Sequence, residues 1–264
     1  MLLQDQLKRK LVFPKTPKRI VSLVPSQTEL LVDLGLKENL VGITKFCVHP
    51  QNLRKEITVV GGTKQVRLEK IKAANPDIIL CNKEENTQEM VSELEKIAPV
   101  HVSDIYNLKD SCEMIRQFGK LFSVEEKAVE VIKNIQAEFR SFQEFISKKP
   151  VQKVAYFIWK NPWMVAGGDT FIDYLLRLNR FENVFQNTAR YPEIDLNSLP
   201  DLDLVLLSSE PFPFSEKHLD DFSGIVPSEK IHFVDGEYFS WYGSRMLGAF
   251  RYFRKLHKTL DTEK

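Results

Sequence analysis

The sequence has no apolar run near the roughly 20 residues that a membrane-spanning helix needs. Its first residues, MLLQDQLKRKLVF, lack the apolar core of about 7–15 residues that marks a secretory signal. Cysteine is scarce, with Cys47, Cys81 and Cys112 far apart, which excludes a disulfide framework and suits a reducing compartment. Charge of one sign is also lacking: 37 Lys and Arg face 36 Asp and Glu, for a formal net charge of +1. Neither nucleic acid nor membrane insertion is therefore expected. A cytoplasmic location follows from the initiator Met and the missing signal; the periplasm is the alternative if the N-terminus was trimmed.

What is present is alternation. RIVSLV (19–24), NLVGIT (39–44), TVVGGT (58–63), DIILCN (77–82) and VHVSDI (100–105) read as strands. Between them lie helical patterns at PSQTELLVDLGL, capped by Ser26 or Thr28 and stopped at Gly35, at RLEKIKAANP (67–76) and at ENTQEMVSELEKIA (85–98). Residues 123–149 break this rhythm. They hold no Gly or Pro, open on a Ser123–Glu126 capping box and repeat apolar residues at helical spacing, which predicts one helix of roughly 40 Å. The pattern then resumes with strands at 153–159, 202–209 and 230–236 and helices at 170–179 and 243–260. The fold class is thus α/β, with two lobes each built on a central, mainly parallel sheet flanked by helices and one long helix bridging them. The expected divisions are 14–122, 123–149 and 150–264.

Ligands of parallel α/β sheets gather at the loops that leave the carboxyl ends of strands. In the first half those loops carry Lys45, Cys47, His49, Lys64, Glu84 and Glu85. In the second half they carry Trp159, Trp163, Phe212, Trp241, Tyr242 and Arg245, including all three tryptophans of the chain. Aromatics among charged groups suit a flat, partly polar ligand; the alternative is that they close the ends of the sheet. Cys47 and His49 stand two apart beside Pro50. They admit a transition-metal site with Glu84 and Glu85, a thiolate–imidazole pair with Gly61 and Gly62 as oxyanion donors, or simple loop packing. His101, His232 and Cys81 fall in strand patterns, and His218 and His257 read as surface residues.

PKRIVSLVPSQTELLVDLGL, VGIT, GGT, LEKIKAANPDIIL and the 123–149 stretch together resemble the substrate-binding proteins of cobalamin and iron-chelate ABC importers, also called helical-backbone metal receptors. FCVHP, GGTK, NKEEN, WKNPWMVAGGDT and SSEPFPF resemble one subgroup of them. The resemblance runs from about residue 16 to 256. It implies class III periplasmic-binding-protein-like lobes joined by a rigid helix, with a corrinoid or metal chelate held in the cleft. It implies no required cofactor, no enzymatic activity, and a monomer whose partners are a small-molecule ligand and an ABC permease. Glu69 matches the first-lobe permease-docking carboxylate; Asn197 stands near the second, where Glu193 or Asp195 is the nearest acid. Where cobalamin binders carry first-lobe aromatics, this chain has Lys64 and Asn82. The alternatives on the same fold are a cytoplasmic enzyme or metal carrier using Cys47 and His49.

Overall fold

The computed structural model describes residues 1–262 and divides them into two compact units. Unit 1 comprises Met1–Gln136 and Trp241–Met246; unit 2 comprises Ala137–Ser240 and the chain from Leu247 onward.

Unit 1 holds a four-stranded parallel sheet of β3 (Ile20–Ser22), β4 (Leu40–Ile43), β5 (Ile78–Asn82) and β6 (Val100–Ser103), in the order β4-β3-β5-β6. Every residue of β3, β5 and β6 is buried, as expected of parallel strands covered on both faces. A separate two-stranded hairpin, β1 (Leu2–Gln4) and β2 (Lys10–Val12), precedes the sheet and was not legible as strands. The helices are α1 (Pro25–Asp33), α2 (Leu53–Glu56), α3 (Leu68–Ala73), α4 (Gln88–Glu95) and α5 (Leu108–Phe122). Pro25 opens α1, where its missing N–H costs nothing and its fixed φ suits the first turn; Val24 is the N-cap, so neither Ser26 nor Thr28 caps the helix. Gly35 just beyond takes φ +80°, a left-handed stop.

TVVGGT forms no strand. Val59 makes a single bridge to Ile43, after which Gly61, at φ +135°, turns the chain so that it pairs back on Val66. The Ser123–Glu126 capping box is also absent: Ser123 takes φ +57° as the C-cap of α5. The long helix that follows is α6 (Glu125–Ile146), about 33 Å at 1.5 Å per residue. Its residues up to Gln136 belong to unit 1 and those from Ala137 to unit 2.

Unit 2 is built on β7 (Gln152–Trp159), β8 (Met164–Val165), β9 (Phe181–Asn183), β10 (Leu204–Ser208) and β11 (Ile231–Val234). β11, β10 and β7 run parallel; β9 joins the start of β7 in parallel and β8 joins its end antiparallel. The helices are α7 (Phe171–Leu178), α8 (Glu237–Ser240) and α9 (Met246–Thr262). The Thr170 hydroxyl accepts the Asp173 N–H at 3.0 Å and starts α7. His218 and His257, expected at the surface, are buried: His218 closes a capping box with Ser215, and His257 meets the Asn179 side chain at 3.2 Å.

Candidate functional site

In unit 1 the carboxyl ends of β3, β4, β5 and β6 stand on a floor of buried polar side chains. The Thr28 hydroxyl donates to Ser22 Oγ at 2.8 Å and to the Val24 carbonyl at 3.0 Å. Gln27 Nε2 donates to Ser103 Oγ at 2.6 Å and to the Tyr242 hydroxyl at 3.2 Å. Asn82 Nδ2 also donates to Ser103, at 3.1 Å, while its Oδ1 accepts the backbone N–H of Glu84 at 2.8 Å and of Glu85 at 3.3 Å. A buried network of this kind fixes side-chain positions because each unmade bond in it would be expensive.

Cys47 belongs to this floor. Its Sγ is sealed from solvent, 3.2 Å from Thr28 Oγ1 and 3.3 Å from Thr44 Oγ1. Burial pushes the thiol up from its ordinary value, against the smaller opposing effect of the two hydroxyls. Both a metal-ligand and a nucleophile role would need the thiolate, the form that this burial disfavours. Among the described residues, no three His, Cys, Asp or Glu side chains converge where a metal could be held.

His49 is placed differently. It is half-buried, and its ring meets that of Trp241 edge-on with centroids 5.6 Å apart. Trp241 also carries the Arg245 guanidinium over its face, 5.0 Å from the ring. Glu29 Oε2 accepts a hydrogen bond from the Arg245 Nε at 2.9 Å, and Glu29 Oε1 lies 2.8 Å from Nη2 as an ion-pair contact. Burial raises the Glu29 carboxyl more than Arg245 and His49 lower it, so the net shift is upward. Trp241, Tyr242 and Arg245, expected with the second half of the chain, therefore group with His49 in unit 1. Tyr242 is buried, and its hydroxyl is raised mainly by desolvation.

The charged rim is more open. Lys45 is exposed, with its ammonium 4.9 Å from the Phe46 ring, and Lys64 is exposed. Lys83 pairs with Asp104 at 2.8 Å, and Glu84 and Glu85 are half-buried.

Unit 2 is aromatic where unit 1 is polar. Trp163 packs on the core, with ring centroids 5.3 Å from Phe222, 5.8 Å from Phe157 and 6.0 Å from Phe214. Phe212 lies against the same core and meets Trp159 edge-on at 5.7 Å; Trp159 itself is 39% exposed. Glu29 escaped the sequence reading, and Gln27 was read only as part of the loop after the first strand. Their signal was polar side chains on the first turns of a helix that starts at the end of a central strand.

Among known proteins, the family model described as "Periplasmic binding protein" matches residues 20–203. A curated relative in Bacillus subtilis, an uncharacterized ABC transporter substrate-binding lipoprotein, is 27% identical over 69% of this chain and 60% of its own length. A vitamin B12-binding protein of Vibrio campbellii is 27% identical over 69% of this chain and 66% of its own length. The chain thus spans under two thirds of these relatives. The crystal structure of the periplasmic vitamin B12 binding protein of Vibrio cholerae matches with a TM-score of 0.79 at 16% identity, covering 94% of this chain and 99% of that one. A periplasmic heme binding protein of Pseudomonas aeruginosa matches with a TM-score of 0.80 at 20% identity, covering 91% and 92%. These likenesses establish the fold. The cytoplasmic location expected from the N-terminus is overturned by the same findings, because the matched family and its relatives are periplasmic proteins or lipoproteins.

Proposed function

The chain belongs to the periplasmic binding protein family, and from that premise we propose that it binds a flat, partly polar small molecule of the corrinoid or metal-chelate class for an ABC importer. It does so without chemistry of its own and on the outer face of the cytoplasmic membrane. The observation that carries this reading is the Glu29–Arg245–Trp241–His49 group. A guanidinium fixed by a carboxylate against an indole offers a ligand both a charge and a hard edge, already ordered before binding. Lys45, Lys64, Glu84 and Glu85 supply rim charge in unit 1; unit 2, taken by itself, exposes the Trp159 ring.

Docking to the permease falls to Glu69 and Glu193. Both are exposed, and Glu69 makes a surface pair with Lys72 at 3.1 Å. Asp195 suits docking less well because its side chain is committed to the N–H and Nδ2 of Asn197. The enzyme and metal-carrier readings lack such support, since Cys47 is buried and held by two threonines.

The test is a titration of the purified chain with cyanocobalamin, hemin and a ferric siderophore, followed by tryptophan fluorescence and native mass spectrometry. One of the three is expected to bind saturably at one per chain, and more weakly to Arg245→Ala. If the folded chain binds none of them, the proposal fails.

A further inference from the structure

We infer that the face of unit 1 formed by residues 45–72 is a docking surface for anionic lipid headgroups. That stretch holds seven Lys and Arg against two Glu, a formal charge of +5, whereas the whole chain carries +1. The rest of the chain is therefore net acidic, and the balanced total hides the concentration.

The fold gathers these charges along the outer edge of β4, which ends the sheet of unit 1. Val59 bridges to Ile43 on that edge, and the Lys45 N–H donates to the Gly61 carbonyl at 2.8 Å. The turn that follows, which carries Lys64, closes with the Gly62 N–H on the Gln65 carbonyl at 2.7 Å. Arg67 then returns its N–H to the Val60 carbonyl at 2.7 Å. Arg54 Nη1 donates to the Lys45 carbonyl at 2.9 Å, and Lys70 Nζ to the Val59 carbonyl at 3.2 Å. So α2, the turn and α3 bring their cations to one edge, and bonds to neutral carbonyls leave the charge in place.

No acid offsets it. Lys45, Arg54, Lys55, Lys64, Arg67 and Lys70 are exposed, and among the described residues no carboxylate pairs with any of the six. The two acids of the stretch sit with other lysines, Glu56 with Lys37 and Glu69 with Lys72. Elsewhere in unit 1, Lys83, Lys96 and Arg116 hold Asp104, Glu93 and Glu113. Like charges along one edge repel one another, and a surface of many anions relieves that repulsion.

A ring beside the cations points to lipid. Phe46 is 48% exposed, with the Lys45 ammonium 4.9 Å from its centre. Gly62 makes room for both, since a Cβ there would stand 3.3 Å from the Phe46 ring and 3.6 Å from the Lys45 side chain. At a membrane surface cations meet phosphate while an aromatic ring settles at headgroup depth; a soluble polyanion would need the cations alone. Glu69 lies on α3 between Arg67 and Lys70, so the surface adjoins the carboxylate proposed above for permease docking, and membrane is what surrounds a permease. That orientation rests on the docking reading; the charge and the ring do not. Lys45 and Lys64 border the ligand rim, whereas Arg54, Lys55, Arg67 and Lys70 stand outside it.

The experiment sediments the full chain with vesicles of phosphatidylcholine, or of phosphatidylcholine mixed with phosphatidylglycerol. At low salt the chain should bind the mixed vesicles at least about tenfold more tightly than the neutral ones, and should let go near about 0.5 M salt, where screening is strong. Each cation at such a surface is worth about fivefold in binding, so Lys55→Gln, Arg67→Gln and Lys70→Gln together should weaken it about a hundredfold. Lys120→Gln, Lys133→Gln and Arg140→Gln remove the same charge from exposed positions elsewhere and should weaken it less than about threefold. Equal losses in the two sets overturn the inference. So does equal binding to both kinds of vesicle, or a chain held by heparin but not by the mixed vesicles. If the triple variant does not fold, Lys55→Gln alone decides: about fivefold weaker binding supports the inference, and parent-like binding overturns it. The vesicles carry neither ligand nor permease, so this test and the ligand titration fail independently.

Discussion

The loops of unit 1 rest on hydrogen bonds, whereas those of unit 2 rest on rings. Beneath the first, Thr28, Thr44, Gln27, Asn82 and Ser103 are buried and joined through directional bonds, and Cys47 is locked among them. Beneath the second, Phe157, Trp163 and Phe222 pack face to edge, and Trp163 stacks on Phe214. A hydrogen-bonded floor fixes the angle of whatever stands on it. A ring cluster fixes volume and tolerates small rotations. The first arrangement suits residues that must hold a charge in one place, and the second suits a wall.

Substitutions can break this contrast. The largest loss should come from Phe222→Ala, which empties a fully buried ring site contacting Phe157 and Trp163 at 5.3 Å each. Urea unfolding should show a cost of about 3–5 kcal/mol. Next, Glu29→Gln leaves the Arg245 guanidinium, with 11% of its side chain exposed, facing a neutral amide. That should cost about 3 kcal/mol, at the lower end for a buried pair broken on one side. A loss as large from Thr28→Val as from Phe222→Ala would erase the distinction between the two floors.

pH sharpens it. His101 is fully buried in β6, with Nε2 2.9 Å from Gln117 Oε1, and burial lowers its pKa from the ordinary 6.5. Below that ordinary value the unfolded chain takes up a proton that the folded chain resists, so stability is complete above it and falls as the medium is acidified. Tm should drop between pH 7 and pH 5, and His101→Gln should flatten the drop. The smallest effect on stability should be that of Trp159→Ala, within about 0.5 kcal/mol of parent because the ring is exposed. Its effect should be read instead in ligand titrations, where about tenfold weaker binding corresponds to 1.4 kcal/mol.

Much of the frame was legible. DIILCN, KVAYFIW and LDLVLLSS are strands because long apolar runs bounded by turn residues have few other uses. TVVGGT failed because two glycines make the turn that its valines seemed to oppose, and the hairpin at Leu2–Val12 failed because three-residue strands carry almost no period. At the site, the sequence named His49, Trp241 and Arg245 but divided them between halves. Nothing local records that Trp241–Met246 returns to unit 1. The two-residue spacing of Cys47 and His49 was likewise silent on direction. One side chain turns down among threonines, and the other lies against an indole.

All three cysteines are buried. Three is an odd number, so in an oxidising compartment, the setting the family name denotes, at least one thiol would always be left without a mate inside the chain. While the chain is folded, that mismatch is harmless. Once it opens, each exposed sulfur becomes a point of capture by other thiols and disulfides. In such a setting the buried thiols would turn unfolding from a reversible excursion into a one-way loss, and the lifetime of the fold would be set by how rarely it opens rather than by how deep its free-energy minimum lies.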